Sequence, residues 1–275
     1  MAINLAEKYS TKVDERFKLA ALTNAVINRD YDFVGVKTVK VYSVNTVALG
    51  DYTRTGANRY GTPAELADTV QEMTMTQDKS FTFTVDKGND LQQMGIKAAG
   101  AALRREIDEE VVPAMDKYIL GKIIAGAGAE SAETTITKAN AYEMFLAGQE
   151  VLTEKKVPLA GRIALVTPSY FTKVKLDPNF IKNADLGQEM VLTGQVGKID
   201  GVPLIVIPTS YFTANYDFVI THPVATTAPV QLSEFKVHDN PPGISGALVE
   251  GRVIYDAFVL ENKKNAIYAH KHAAA

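Results

Sequence analysis

A run of carboxylates in one predicted helix is the densest group of titratable residues in the chain. Its members are Glu106, Asp108, Glu109 and Glu110. Carboxylates of this kind can serve as general acids and bases. Arg104 and Arg105 precede them, however, and form i,i+4 pairs with Asp108 and Glu109, each worth only about 0.2–0.5 kcal/mol. We therefore interpret the remaining negative charge as a surface for a charged partner.

The four histidines have no catalytic or metal-binding spacing. They are His222, His238, His270 and His272. No pair has HExxH spacing, and a chain without cysteine cannot form the usual structural zinc clusters. His238 and Asp239 could belong to a triad, but no G-x-S-x-G elbow accompanies them, and residues 243–245 are interpreted as a turn. We expect no catalytic residue, no metal and no cofactor.

Two glycine-containing stretches resemble phosphate-binding loops only superficially. In residues 194–200, GQVGKID, Leu192 stands where the first glycine should be, and Ile199 replaces the magnesium-binding Ser/Thr. Residues 126–131, GAGAES, follow a predicted helix, whereas a dinucleotide-binding turn follows a strand. Neither stretch predicts nucleotide binding.

Composition narrows the class of protein. The chain has 275 residues, 46% of them apolar, and a net charge of −3, as in an ordinary protein with a large core. No stretch approaches the roughly 20 apolar residues of a membrane span, and the first residues lack the apolar core of a secretion signal. We expect folding in a cytoplasm. Because its net charge is close to zero, the chain has no strong positive potential with which to bind nucleic acid tightly.

A long helix is predicted from Asn89 to Gly126. We expect Asp90 to cap its start with Gln93, and Gly126 to close its end. Apolar residues recur every fourth position along it: Leu103, Ile107, Val111, Met115, Ile119 and Ile123. This stripe drifts around the helix unless a kink at Pro113 resets it. Such a helix is suited to be a spine that several elements contact.

Strands precede this helix and form a projecting hairpin. One is predicted at residues 36–44 and another at 71–86, where Phe81, Phe83 and Val85 alternate with polar residues. The connection is rich in turn formers, and its tip carries residue types common at interfaces: Tyr52, Arg54, Arg59 and Tyr60. A ribbon of this length needs support from outside itself. The alternative is a flexible loop with solvated arginines.

The second half of the chain reads as an α/β unit followed by strands. Tyr142, Phe145 and Leu152 indicate a helix, residues 162–166 a buried strand, and Thr167 with Pro168 the start of another helix. Buried strands follow at 202–207 and 218–220. From His222 onward the pattern is strands, which we expect to return and pair beside the spine helix.

The order of these parts resembles the major capsid proteins of tailed double-stranded DNA bacteriophages, which have the α+β Hong Kong 97 fold. The resemblance covers essentially the whole chain. It includes the phrases DYTRTGANRYGTPAEL at 51–66, GKIDGVPLIVIPTSYF at 197–212 and VHDNPPGISGALVEGRVIYDAFVLENKKNAIY at 237–268, which are similar to capsid proteins of phages and prophages of Gram-positive hosts.

This resemblance implies a domain layout. Residues 1–30 would be an N-arm, although a helix packed on its own domain is an open alternative. Residues 44–76 would be the E-loop and 126–221 the axial A-domain. The peripheral P-domain would comprise 31–43, 77–125 with the spine helix at 89–125, and 222–275.

The resemblance also implies partners. Copies of the chain would form pentamers and hexamers of an icosahedral shell around double-stranded DNA, without sequence-specific contacts and without a membrane. Each E-loop would cross the P-domain of the adjacent subunit. We therefore expect Arg54 and Arg59 of one subunit to face Glu106, Asp108, Glu109 or Glu110 of the next.

Two departures from the founding member of the family lead to further expectations. Residues 45–78 contain no lysine, so we predict no covalent cross-links between subunits. The N-terminal arm is short, so a separate scaffolding protein is expected, together with a portal protein. The expected location is the virion capsid, assembled in the bacterial host cytoplasm.

Two other functions stay open at this stage. An encapsulin-type nanocompartment shell has the same fold but encloses cargo enzyme in place of genomic DNA. A soluble α/β enzyme would be a small oligomer with a deep ligand cleft and would depend on His238 or Asp239.

Overall fold

The computed structural model describes residues 21–31, 33, 37–92, 99–178, 180 and 197–272. The helices are α1 Lys87–Gln92, α2 Ala99–Glu106, α3 Val112–Ala125, α4 Ala141–Glu154 and α5 Pro168–Lys175. The first strands are β1 Thr38–Val44, β2 Asp68–Thr74, β3 Gln77–Asp86, β4 Ala129–Glu130, β5 Ile163–Val166, β6 Lys198–Ile199 and β7 Val202–Val206. The others are β8 Tyr216–Thr221, β9 Thr226–Thr227, β10 Val230–Asp239, β11 Gly246–Tyr255, β12 Phe258–Val259 and β13 Ile267–Lys271.

A six-stranded sheet in the order β4-β13-β8-β5-β7-β6 forms the larger core. Alternate residues of its central strands point to opposite faces. On one face Ala164, Val166, Phe218 and Ile220 pack with α4 and α5. On the other, Leu165, Val219, Ile267 and Ala269 pack with α3 and the turn at Thr23–Val26. The sheet is therefore covered on both sides, which explains why β5 and the centre of β8, Phe218 to Ile220, are continuously apolar.

The strand β13 corrects one expectation. It pairs with β8, Tyr268 opposite Ile220, inside the six-stranded sheet. The prediction that the strands after His222 return to pair with those of the first half of the chain is therefore wrong for this strand, although Ile267 and Ala269 do pack against α3 of the spine helix. The cause is its apolar sequence, because Ile267 to Ala269 are buried on both faces and suit a central strand.

A three-stranded antiparallel sheet, β10-β11-β3, lies under α2. Its inner face holds Phe81 and Phe235, whose rings stack with centroids 6.0 Å apart above Gly251. A Cβ at position 251 would overlap the Phe81 ring, so this close packing requires glycine. The outer face is polar and includes an ion pair between Arg252 and Asp78 at 2.6 Å.

The strand predicted at 71–86 is two strands. Its first part, β2, pairs with β1, and its second part, β3, pairs with β11. The chain changes partner at Met75 and Thr76, because Thr76 donates its backbone N–H and its hydroxyl to Asp256, both at 2.7 Å. These bonds take the place of backbone hydrogen bonds between strands at the point where β2 ends and β3 begins.

The spine helix begins earlier than predicted. Helix α1 starts at Lys87, and the Asp86 carboxylate accepts the N–H of Asn89 at 2.9 Å, so Asp86 is the cap. Asp90 lies within the helix, and its predicted capping partner Gln93 lies outside the described residues. Residues 1–20 of the predicted N-arm also lie outside the described residues. The sequence HKHAAA at 270–275 suggests a frayed tail, but this is wrong for its first residues, because His270 and Lys271 belong to β13 and His272 contacts Asp217.

A π-helical turn at Ile107–Val111 precedes α3, where the sequence predicts a kink at Pro113. Proline cannot donate to the carbonyl four residues before it, and a wider turn accommodates that loss. This turn changes the position of the apolar side chains around the helix. Upstream residues such as Leu103 are half-buried, whereas Ile119 and Ile123 are buried against the six-stranded sheet. Helices α2 and α3 thus contact different sheets, as expected of a spine, and α3 ends at the predicted Gly126.

Candidate assembly interface

The hairpin between β1 and β2 exposes apolar side chains along its whole length. Eight large ones are exposed: Tyr42, Val44, Val47, Leu49, Tyr52, Tyr60, Leu66 and Val70. Val47 is 76% exposed and Tyr60 94%. Monomeric soluble proteins scatter such residues singly, and a series on one projecting element marks an interaction surface.

The tip of the hairpin has a defined backbone. The N–H of Thr53 donates to the carbonyl of Arg59 at 3.0 Å, and Gly56 and Asn58 adopt left-handed conformations with φ of 88° and 56°. The Tyr52 and Tyr60 rings meet edge to face, with centroids 4.9 Å apart. Arg59 donates its Nε–H to the carbonyl of Gly56 at 3.2 Å. The structure therefore brings together the four predicted tip residues on one exposed turn, with Arg54 also exposed.

The stem is held to the body by Gln71. Its side-chain amide donates to the carbonyl of Val259 at 2.9 Å, and its carbonyl accepts the N–H of Glu261 at 3.0 Å. The Asn262 amide also bonds the Ser43 hydroxyl. These contacts and those of Thr76 with Asp256 fix the direction in which the hairpin leaves the body, while its tip lies exposed.

The predicted spine carboxylates divide into two groups. Glu106, Glu109 and Glu110 line one cleft of about 410 Å³ with Phe83 and Ala102, whereas Asp108 is not among its lining residues. Glu109 pairs with Arg105 at 3.2 Å, which confirms the predicted i,i+4 pair. The cleft therefore combines negative charge with an aromatic floor.

Two of the histidines, His222 and His238, occupy separate structural positions. His238 pairs with Glu250 at 3.3 Å on the polar face of the sheet, and the neighbouring Asp239 points to the opposite face because strand residues alternate. The side chain of His222 accepts the N–H of Val224 at 3.3 Å. Thus Asp239 cannot orient His238 as a triad requires.

The other two histidines flank the carboxylate of Asp217. His272 Nδ1 lies 3.1 Å from Asp217 Oδ2, within hydrogen-bond distance, whereas Nδ1 of the buried His270 lies 3.6 Å from the same oxygen. Burial raises the pKa of Asp217, but His270, His272 and Lys173 lower it, and the net shift is downward. The ionised carboxylate therefore stabilises this end of the β8–β13 pair.

The stretch that resembles a phosphate loop ends in a β-hairpin. Asp200 and Gly201 have φ of 50° and 77° and join β6 to β7 in a two-residue turn. Residues 194–196 lie outside the described part. Within the described ranges, no three His, Asp or Glu side chains are grouped as metal ligands, and no helix is both long and apolar enough to cross a membrane.

None of the buried aspartates, which include Asp116 and Asp256, was identified from the sequence. Asp116 accepts bonds from the Leu22 N–H at 2.8 Å and the Thr23 hydroxyl at 2.5 Å. Asp256 accepts the Tyr118 hydroxyl at 2.8 Å and the bonds from Thr76. Asp256 is the one charged residue in the apolar row 253–260, which was the available signal, since a buried charge requires partners. Asp116 is followed by Lys117 and gave no such signal.

The comparisons with known proteins concern the fold. No protein-family model and no curated protein sequence matches the chain. A chain from Mycobacterium phage Che8 matches with a TM-score of 0.80 and 18% identity, over 97% of this chain and 96% of that one. A chain from the mature capsid of bacteriophage PhiM1 gives 0.78 and 12%, over 98% and 92%. One from the capsid of cyanophage P-SCSP1u gives 0.74 and 10%, over 98% and 93%.

These matches run through both sheets, the helices and the hairpin, because they cover nearly the entire chain. The α+β class predicted from the sequence is confirmed. The chain has the Hong Kong 97-like fold of phage capsid proteins.

Proposed function

We propose that this chain is a major capsid protein, which assembles with its own copies into pentamers and hexamers of an icosahedral shell around phage double-stranded DNA. The observation that carries the proposal is the projecting hairpin with its exposed apolar side chains, on a chain that has a phage capsid fold over nearly its whole length. Such a protein acts by assembly and has no enzymatic step.

The domain roles follow from this proposal. Residues 1–30 are the N-arm, 44–76 the E-loop and 126–221 the axial domain. The peripheral domain comprises 31–43, 77–125 and 222–275, with β13 as the strand through which it joins the axial sheet. The axial domains meet at the centres of pentamers and hexamers.

A second copy of the chain is the proposed cover for the hairpin. A two-stranded ribbon is marginal alone in water, and its exposed tyrosines and aliphatic residues gain stability only when another surface buries them. Because Gln71 and Asp256 fix the stem, each hairpin projects in one defined direction. A fixed projection that reaches a neighbour related by rotation builds closed rings.

The proposed contact places Arg54 and Arg59 of one subunit against Glu106, Asp108, Glu109 or Glu110 of the next. The tip offers two arginines and two tyrosine rings, and the cleft beside Phe83 offers carboxylates and an aromatic floor. One exposed ion pair is worth about 0–1 kcal/mol, but a closed shell repeats it at every subunit.

Shortening the hairpin tests the proposal. Asn45 donates its N–H to the carbonyl of Ala67 at 3.0 Å, so an Asn-Gly turn can replace residues 46–66 without disturbing the stem. We expect this variant to fold with the circular dichroism of the parent but to sediment as a monomer. Sedimentation as large particles by both proteins would contradict the proposal.

Charge exchange tests the tip contact separately. We expect Arg59→Glu to lower the yield of particles and Glu110→Arg, added to the same chain, to restore part of it. The exposed Lys138→Glu reverses one charge elsewhere and should leave the yield unchanged. Normal yield from Arg59→Glu alone would argue against this pairing.

The further partners are also proposals. A separate scaffolding protein and a portal protein would assist assembly in the bacterial host cytoplasm, and the finished protein would reside in the virion capsid. The DNA would be enclosed without sequence-specific contacts. The resemblance in sequence favours a phage or prophage of a Gram-positive host.

A further inference from the structure

A groove runs along the C-terminal half of the spine helix. Helix α3 forms its floor, and the turn at Thr209–Tyr211 with Phe212 forms one wall. Strand β3 and Tyr255 form the other wall. The volume is about 660 Å³. We name it the lysine groove after the cations at its rim: Lys79, Lys117 and Lys122.

The charge of the lysine groove differs from that of the chain as a whole. The chain has a net charge of −3, yet three exposed lysines and no carboxylate are among the described residues that line this groove. Two buried carboxylates adjoin the lining residues, and both are engaged in hydrogen bonds. Asp256 accepts bonds from Thr76, Tyr118 and Ala257. Asp116 accepts bonds from Leu22 and Thr23. The groove therefore presents uncompensated positive charge to an occupant.

The floor of the groove is apolar and open. Tyr118 and Tyr255 meet edge to face at 5.6 Å, and Ala114, Gly121 and Ala125 recur on the same side of α3. A Cβ at Gly121 would meet no atom of the described residues within 4 Å, so these residues leave the space above it open. From Ala114 to Ala125 the floor extends about 16 Å at 1.5 Å per residue, which is the length of three turns of a second helix.

The walls are preformed. The Tyr118 hydroxyl is held by Asp256, Lys122 Nζ lies 5.4 Å from the Tyr118 ring centroid, and Phe212 is nearly buried. Tyr211 and Phe212 donate their N–H groups to Pro208 and Thr209 within the turn. A preformed groove loses little conformational entropy when it is filled.

We propose that the lysine groove binds an acidic amphipathic helix of a partner protein. The apolar side of that helix would lie on the small residues of α3 between Tyr118 and Phe212, and its carboxylates would meet the lysines at the rim. An anionic polymer without apolar side chains would use the lysines but leave the floor uncovered, so a peptide fits better than nucleic acid.

The test uses the full-length chain and fluorescein-labelled helical peptides of leucine, alanine and glutamate, with the leucines on one side. We expect binding by fluorescence anisotropy that weakens as salt rises. It should fall at least tenfold in Lys117→Glu/Lys122→Glu and remain in Lys138→Glu/Lys198→Glu, which reverses two exposed lysines elsewhere.

A variant that fills the groove distinguishes peptide binding in the groove from a general attraction between opposite charges. Gly121→Leu fills the open space above α3, and leucine favours a helix more than glycine does, so the fold should persist while peptide binding is lost. Gly100→Leu, at an equally open position in α2, is the matched control and should bind normally. Undiminished binding by Gly121→Leu, or equal binding of a peptide with lysine in place of glutamate, would overturn the proposal. Equal competition by a 20-base-pair DNA duplex would also overturn it, in favour of a general polyanion surface.

Discussion

The hydroxyl of Tyr118 donates a hydrogen bond of 2.8 Å to the carboxylate of Asp256, and this bond joins the spine helix to the end of β11. The same carboxylate holds Thr76, where the chain leaves the projecting hairpin and enters the three-stranded sheet. One buried side chain therefore fixes the helix, the sheet and the base of the hairpin relative to one another.

Removing this carboxylate should destabilise the protein strongly. Asp256 is 1% exposed and accepts four hydrogen bonds, from Thr76, Tyr118 and Ala257, so we expect Asp256→Ala to lose about 3 kcal/mol or more in the free energy of unfolding. Tyr118→Phe removes one bond and should cost about 1–2 kcal/mol. Urea unfolding measures both changes. The exposed Asp239→Ala is the control, and a loss for Asp256→Ala no larger than that of the control would refute the assigned role.

Asp116 should hold the segment that enters the body at Leu22. Its carboxylate accepts the N–H groups of Leu22 and Thr23 and the Thr23 hydroxyl, all from inside a buried site. We expect Asp116→Ala to expose these two amides to hydrogen exchange at least tenfold faster, because nothing else on α3 replaces the acceptor. The amides of β5 serve as the internal reference. Equal protection of Leu22 and Thr23 in both proteins would contradict this prediction.

Asp217 should contribute stability that depends on pH. The net effect of its surroundings lowers its pKa, so the folded state binds this proton less readily than the unfolded state does. The contribution is therefore present above the unfolded value of about 3.9 and is lost as pH falls through the lower folded value.

The direction of this pH dependence is tested by comparing the stability of the parent protein with that of Asp217→Asn. The difference in their free energies of unfolding should be largest near neutral pH and should shrink as pH falls below about 3.9. Urea midpoints at a series of pH values give that difference. A difference that grows towards acid pH would mean that the carboxylate is stabilised in its protonated form.

The assembled protein should not be cross-linked covalently. Residues 45–78 contain no lysine, and the chain contains no cysteine, so the hairpin cannot form an isopeptide bond through its own lysine and no disulfide can join subunits. Purified particles boiled in denaturant should give one band at the mass of the single chain, 29.9 kDa. A ladder of multiples on the gel would contradict this prediction.

Much of the fold could be predicted because the local signals agree with the packing. The alternation of Phe81, Phe83 and Val85 predicted β3, and Thr167 with Pro168 predicted the start of α5, where the Thr167 hydroxyl accepts the N–H of Tyr170 at 3.3 Å. These patterns depend only on which side of an element meets the core.

The rest depended on contacts between residues distant in sequence. The division of the 71–86 strand is set by Asp256, 180 positions away from Thr76, and no local pattern reports it. Likewise the sequence of β13 predicts an apolar strand but does not indicate which sheet it joins. Its pairing with β8 determines that sheet. The tip residues could be predicted by type, whereas the cleft became visible only when β3 and α2 came together.

Electron microscopy of negatively stained particles tests the central claim most directly. The chain would be expressed alone and with its neighbouring open reading frames, and the purified protein would be imaged in both cases. The account predicts closed shells, or rings of five and six subunits, in at least one of them. A uniform monomer or dimer under both conditions would contradict it.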